Sequence, residues 1–419
     1  MKEKKDILFL CQFFYPEYIS SATLPYDTAA ALTEAGYTVD ALCGVPKEYA
    51  AGAPSPRRET VKGIGIRRLR YLQLDKRSRI GRLVNHISFT LSVLLHFFTL
   101  SRYRAVVVYS NPPMLPWAAA LAKRVFGIKL VFVAYDLYPE AAIVANAAGE
   151  NGLMSRVMRR INRAVYSRAD RVVALSGEMR EFILKNRPVS GDRVAVIPNW
   201  YEDRGPAGKP GPENRFFAAY SGCFVVSYLG NMGTMQDMDT VLETVRLLRD
   251  DPTIRFLFAG HGNKLEELRR AVEEEGLENA RVLDFLHGRD FQDALEISGC
   301  AVVSLIPGAA GLCCPSKTYS YMMKGIPLLA VMGPSDIARD AEAGAGVCVE
   351  NGDAAGMAAA IRRMRDEPET WNAMRRRCRE IYLERYTAEI AARRYVELMD
   401  GVLTPGKPDE TKEWKDDAT

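Results

Sequence analysis

Pro315-Ser316-Lys317 open a predicted helix that Gly325 closes, and they follow an apolar run, Cys300 to Pro307, that reads as a buried strand. A helix starting at the carboxyl end of a parallel strand presents unpaired amides and the positive end of its dipole. A lysine in its first turn adds a full charge. That combination suits phosphate groups. At 100° per residue Ser316, Lys317, Ser320 and Lys324 share a polar arc, opposite an apolar arc of Tyr319, Met322 and Met323. The ordinary alternative is a strand–helix unit with Ser316 as N-cap and two solvated lysines.

Three more loops end predicted strands in this half of the chain. Gly230-Asn231-Met232-Gly233 has glycines that permit a tight turn and close backbone approach, and Gly260-His261-Gly262-Asn263 repeats the pattern. Phe285-Leu286-His287-Gly288 could offer backbone groups to a base edge. Alone, Gly230 to Gly233 reads first as a plain turn and His261 as a capping or surface residue, while 285–288 reads equally as an ordinary strand exit. Four on one domain edge favour a nucleotide diphosphate site.

In the first half, Phe13-Phe14-Tyr15-Pro16-Glu17 leads into Ser20-Ser21-Ala22, a small-residue loop before a helix. Tyr135-Asp136-Leu137-Tyr138-Pro139-Glu140 ends another strand. Two carboxylates and two tyrosines in an apolar neighbourhood suit a sugar-binding wall, or a helix start with Asp136 as its cap.

These loops must be carried by a scaffold, and strand-like and helix-like segments alternate nearly throughout, the pattern of two parallel α/β sheets. In the first half, strands are predicted near 7–14, 38–45, 63–71, 105–110, 129–135, 171–175 and 193–198. In the second they fall near 224–230, 254–260, 281–286, 300–306, 327–332 and 346–349. Residues 200–217, rich in Gly, Pro and charge, read as a linker about which the domains could close. The division expected is an N-terminal domain at 1–203, a second at 218–384, a returning helix at 387–403 and a disordered tail at 405–419.

At 419 residues the chain is too long for one ordinary core. A net charge of +4 argues against a general nucleic-acid binder. Eight cysteines without CxxC spacing suit a reducing, cytosolic compartment, and with four dispersed histidines no zinc site is expected. Ile7-Leu-Phe-Leu reads as a first strand and not as a signal peptide, and no spanning helix is expected. Segment 76–104 stands apart. Arg77, Arg79 and Arg82 precede an apolar run from Ile87 to Leu100, and Arg102 and Arg104 follow it. It reads either as a buried helix or as one lying on an anionic membrane surface.

Taken together, Ala169-Asp170-Arg171-Val172-Val173-Ala174-Leu175-Ser176, Val196-Ile197-Pro198-Asn199-Trp200, Tyr228-Leu229-Gly230-Asn231, Phe258-Ala259-Gly260-His261-Gly262, and Pro315-Ser316-Lys317 through Gly325-Ile326-Pro327 resemble the retaining nucleotide-sugar glycosyltransferases of family 4. The likeness covers about residues 5–400. It implies the GT-B fold, two facing Rossmann-like domains with C-terminal helices crossing back to the first. Asp136 to Glu140 and Gly230 to Gln236 are most similar to the branch of N-acetylfucosaminyl transferases of cell-surface polysaccharide assembly.

The resemblance implies a UDP-linked, N-acetylated sugar donor bound mainly by the second domain, and a polyprenyl-diphosphate-linked sugar or other glycan as acceptor, approached from the first. It implies a cytoplasmic enzyme, at the inner face of the plasma membrane if 76–104 docks there, with no metal or other cofactor. Asp136 and Lys317 are the expected catalytic residues. The expected substrate contacts are Ser20, Ser21, Tyr135, Glu140, Asn199, Gly230, Asn231, Gly233, His261, Gly262, Leu286, His287, Pro315, Ser316 and Ser320.

The sequence departs from the family's pattern at several of these positions. The usual glutamate pair falls on Leu312 and Ser320, the usual Arg and Lys on Asn231 and Gln236, the frequent first-domain histidine on Tyr135, and the first glycine pair on Ser20-Ser21. Charge neutralisation then rests on Lys317, backbone amides and the helix dipole. Two rivals remain on the same fold: a UDP-N-acetylglucosamine 2-epimerase, with His261 as its acid–base group, and a weakened nucleotide-sugar-binding protein.

Overall fold

The computed structural model describes residues 3–46, 55–75 and 79–404. They form two compact units, one running to Asn199 and taking in the helix Ala388–Leu403, the other spanning Trp200–Thr387.

The first unit is built on an eight-stranded sheet: β1 (Lys5–Leu10), β2 (Val39–Gly44), β3 (Arg58–Val61), β4 (Ile64–Leu69), β5 (Tyr103–Tyr109), β6 (Lys129–Val133), β7 (Arg171–Ala174) and β8 (Val194–Val196). Its central strands are continuous apolar runs because helices cover both faces; Ile7 to Leu10 are all buried. The covering helices are α1 (Ser20–Glu34), α2 (Arg79–Leu94), α3 (Leu115–Phe126), α4 (Glu140–Val144), α5 (Leu153–Tyr166) and α6 (Gly177–Asn186). The strand order β3-β4-β2-β1-β5-β6-β7-β8 reverses between β1 and β5. The chain therefore leaves these two neighbours in opposite directions and opens a crevice at their carboxyl ends. Only β3, an antiparallel edge strand on β4, escapes sequence prediction. Its Arg-Glu-Thr-Val is short and mostly polar, with no apolar run to mark it.

The second unit carries β9 (Phe224–Asn231), β10 (Ile254–His261), β11 (Ala280–Asp284), β12 (Ser298–Ser304), β13 (Leu328–Val331) and β14 (Gly346–Val349) in the order β11-β10-β9-β12-β13-β14. Here the order reverses between β9 and β12. Its helices are α7 (Phe217–Tyr220), α8 (Met238–Leu247), α9 (Asn263–Glu274), α10 (Gly288–Glu296), α11 (Lys317–Lys324), α12 (Asp336–Asp340), α13 (Ala354–Asp366) and α14 (Pro368–Arg385). The last helix, α15 (Ala388–Leu403), packs against α1 in the first unit, where Arg104 donates to the Leu403 carbonyl at 2.8 Å.

The segment read as a linker, 200–217, is fastened along the second unit. Its stretch lacks a strand to pair with, so its backbone groups find other partners. The Ala207 amide donates to the Lys324 carbonyl at 2.8 Å, and Arg375 donates to the Ala207 carbonyl at 2.9 Å. Arg379 pairs with Asp203 at 2.6 Å, and Asn214 donates to the Asp293 carbonyl at 2.9 Å. The tail at 405–419 lies outside the described residues.

Candidate functional site

In the second unit the site grows from the register of β9 and β10. Gly230 stands beside Gly260 and Asn231 beside His261, so the two glycine loops leave the sheet together. A Cβ on Gly260 would lie 1.8 Å from the Gly230 carbonyl oxygen, and one on Gly262 2.3 Å from that of Met232. These glycines let two loops touch backbone to backbone. Gly262 (φ +122°) and Gly230 (φ +129°) also adopt conformations that disfavour side chains. The Met232 amide donates to the His261 carbonyl at 2.7 Å, and the Lys264 amide to the Met232 carbonyl at 2.9 Å.

Across the crevice, α11 presents its first turn to this welded pair. Lys317 Nζ donates to the Asn231 carbonyl at 2.9 Å and lies 3.6 Å from the centre of the Tyr228 ring. Burial holds this lysine well below the usual lysine range. One turn on, the Tyr321 hydroxyl accepts from the Leu229 amide at 2.7 Å and fastens α11 to β9. Tyr228 and Tyr321 were not anticipated. The sequence signal for Tyr321 is its spacing four residues after Lys317, on the same helix face.

Several expectations change here. The Gly233 amide donates to the Gln236 side chain at 2.8 Å, so with Met232 two loop amides are already engaged. The Thr318 and Tyr319 amides bond back to Pro315 and Ser316 at 3.3 Å. The polar arc of α11 is not solvated, since every residue from Thr318 to Lys324 is buried. Ser320 is buried and donates its hydroxyl to the Lys317 carbonyl at 2.8 Å. Pro315 and Ser316 are half-buried at the helix start. On the outer strands, the His261 ring lies 5.3 Å from Phe285, Leu286 is half-buried, and exposed His287 precedes α10.

In the first unit the crevice between β1 and β5 is flanked by Ser20 and Ser21, the first residues of α1, and by Ser110 just after β5. Ser110, which sequence reading missed, accepts from the amides of Tyr135 at 3.0 Å and Asp136 at 3.1 Å. The Tyr135 ring packs 5.1 Å from that of Tyr109. Desolvation pushes the Asp136 carboxyl up to about 6. Glu140 is committed elsewhere: it forms an ion pair with Arg187, which also donates to the Tyr138 carbonyl at 3.3 Å. It braces the 135–140 loop and is not a free sugar-binding carboxylate. Asn199 is buried, and its side-chain oxygen has no hydrogen-bond partner among the described residues. No group of three or more His, Cys, Asp or Glu among the described residues could hold a metal ion.

Residues 22–200 match the family model of the glycosyl transferase 4-like domain, and residues 223–367 that of the glycosyl transferases group 1. The chain belongs to the glycosyltransferases. WbjE of Pseudomonas aeruginosa, which bears a glycosyltransferase name, is 28% identical over 53% of this chain and 56% of its own length. The match thus spans little more than half of that relative. WcaI of Escherichia coli K12, named for colanic acid biosynthesis, is 24% identical over 68% of this chain and 72% of its own. Among solved structures, Anabaena HepE in complex with UDP and glucose superposes with a TM-score of 0.71 at 16% identity, covering 95% of this chain and 100% of that one. WaaG, a glycosyltransferase involved in lipopolysaccharide biosynthesis, gives 0.70 at 13%, covering 96% and 100%. At such identities the likeness is one of fold, and it is the GT-B fold. For a glycosyltransferase of this fold, each sheet's crevice lies where its strand order reverses, and the residues gathered there are those just described.

Proposed function

We propose that this glycosyltransferase moves an N-acetylated sugar from UDP to a polyprenyl-diphosphate-linked or other glycan acceptor in surface polysaccharide biosynthesis, with retention at the anomeric carbon. The observation that carries the reading is Lys317, whose ammonium rests on a loop carbonyl beside the β9–β12 crevice, where a diphosphate oxygen would displace it. A bound anion would favour the charged lysine that burial disfavours. HepE, with UDP in its title, supports the choice of nucleotide.

In the reaction, the bond from the anomeric carbon to the diphosphate oxygen breaks and a bond to the acceptor oxygen forms. The acceptor proton passes to the departing phosphate, and UDP is released. Negative charge builds on the diphosphate as the bond breaks, so Lys317 and the dipole of α11 stabilise the transition state more than the ground state. A charge-assisted hydrogen bond of this kind contributes roughly 1.5–3 kcal/mol. Asp136, held by Ser110 through its backbone, orients the acceptor hydroxyl. No metal is given a part. The relatives named above lend no support to an epimerase.

The test is an array of UDP-sugars against lipid-diphosphate sugars, read by mass spectrometry. Transfer from at least one UDP-N-acetylhexosamine is expected. UDP binding without turnover on any pair would favour the weakened binder, and turnover of a donor without acceptor would favour the epimerase.

A further inference from the structure

Helix α2 is turned inside out relative to an ordinary surface helix. Its buried side carries Phe89 and Val93 together with Asn85, which exchanges hydrogen bonds with the backbone of Leu74 at 2.8 and 2.9 Å. Ser92 donates to the Arg70 carbonyl at 2.6 Å on the same side. The polar residues are therefore spent on the segment after β4, and the outward face is apolar. Ile80, Leu83, Ile87 and Leu91 follow one stripe of α2, and Leu95 and Phe98 prolong it past the helix end; all six are exposed, Leu95 to 85%. No residue from Leu83 to Ser101 is charged.

The stripe continues onto the neighbouring helix. α2 packs against α3, and Phe98 meets Phe126 with ring centres 5.9 Å apart, beside exposed Val125. α3 packs in turn against α5, which starts with exposed Leu153 and Met154 and then turns Arg156, Arg159, Arg160 and Arg163 to solvent. Charge completes the pattern. Between Asp75 and Asp136 the chain has nine lysines and arginines and no acidic residue, although its whole net charge is only +4. Of the arginines expected to flank the apolar run, Arg82 and Arg102 are exposed; Arg77 and the side chain of Arg79 lie outside the described residues.

We infer that the layer α2–α3–α5 docks on an anionic lipid bilayer, with the α2 stripe in the acyl boundary and the exposed arginines of α2, α3 and α5 at the head groups. Of the nine basic residues, Arg104 pairs with Asp6, and Lys123 and Lys129 pair with Asp170, while Arg82, Arg102 and Arg124 are exposed beside the stripe, as are the arginines of α5. An apolar stripe rimmed by exposed arginines fits an anionic bilayer. The helix lies on the bilayer and does not cross it, since among the described residues no helix is long and apolar enough to span. The starts of α2, α3 and α5 are at the carboxyl edge of the sheet, the edge that bears Ser20 and Asp136. From that edge the stripe runs to the opposite one, where Phe98 meets Phe126 at the end of α3, so docking lays this whole flank on the bilayer.

The test is co-sedimentation of the full chain with vesicles of phosphatidylglycerol and phosphatidylcholine, and with phosphatidylcholine alone, at about 0.1 M salt. The chain is expected to sediment with the first and stay in solution with the second. Leu91→Asp with Leu95→Asp, and separately Arg159→Glu with Arg160→Glu, should each weaken binding about tenfold with unchanged circular dichroism, all four positions being exposed. Wild type left in solution with the anionic vesicles would overturn the proposal. So would sedimentation of both double variants like wild type, or a dimer that the leucine variant splits and no vesicle binding by either form. No donor is present, so the outcome is independent of whether UDP-sugar is the substrate.

Discussion

In the reaction proposed above, Asp136 works for turnover at the expense of the fold. Its carboxyl titrates near 6 in the folded chain and near 3.8 when unfolded, so between those values the folded form binds the proton more tightly. Stability therefore falls as pH rises through this window, and above it the full penalty of a desolvated carboxylate is present. Asp136→Asn should raise the melting temperature at pH 7.5 while lowering turnover, and it should abolish an acid limb near pH 6 in the pH–rate profile. An unchanged limb would remove Asp136 from the reaction. The lysine and the carboxylate of the proposed site are visible in the sequence as residue types in segments that follow strands. The braces that hold them, Ser110, Tyr228 and Tyr321, were not, because their partners are far away in the chain.

Elements were read more surely than contacts. Apolar runs of four to seven residues marked every central strand, and Gly325 closes α11 in the left-handed conformation its type suggests, whereas Ser316 precedes α11 in helical conformation without a side-chain cap bond. What periodicity could not tell was that α11 is enclosed on all sides, which turned Ser320 and Lys324 inward. Nor could it tell why Gly260 is glycine. A turn needs conformational freedom, but here the demand is space for the neighbouring strand's carbonyl. Gly260→Ala should part the ends of β9 and β10, costing roughly 1–3 kcal/mol in urea unfolding and weakening UDP binding. Gly208→Ala, whose Cβ would meet nothing within 4 Å, is the matched control and should alter neither.

For the molecule as a whole, the two-sheet plan follows from alternating strand and helix signals, but the strand order does not. Only that order shows that the loop after β9 and the loop after β12 share a crevice. Gly, Pro and charge mark 200–217 as a linker but do not reveal its contacts, because the arginines of α14 that fasten it lie more than a hundred residues away. The claim on which the functional account depends is that a nucleotide diphosphate sits at the β9–β12 crevice. A crystal structure with UDP tests it directly. The account predicts a diphosphate oxygen within hydrogen-bond reach of Lys317 Nζ, with that atom moved off the Asn231 carbonyl. UDP bound elsewhere, or Lys317 still on the carbonyl beside a bound nucleotide, would contradict it.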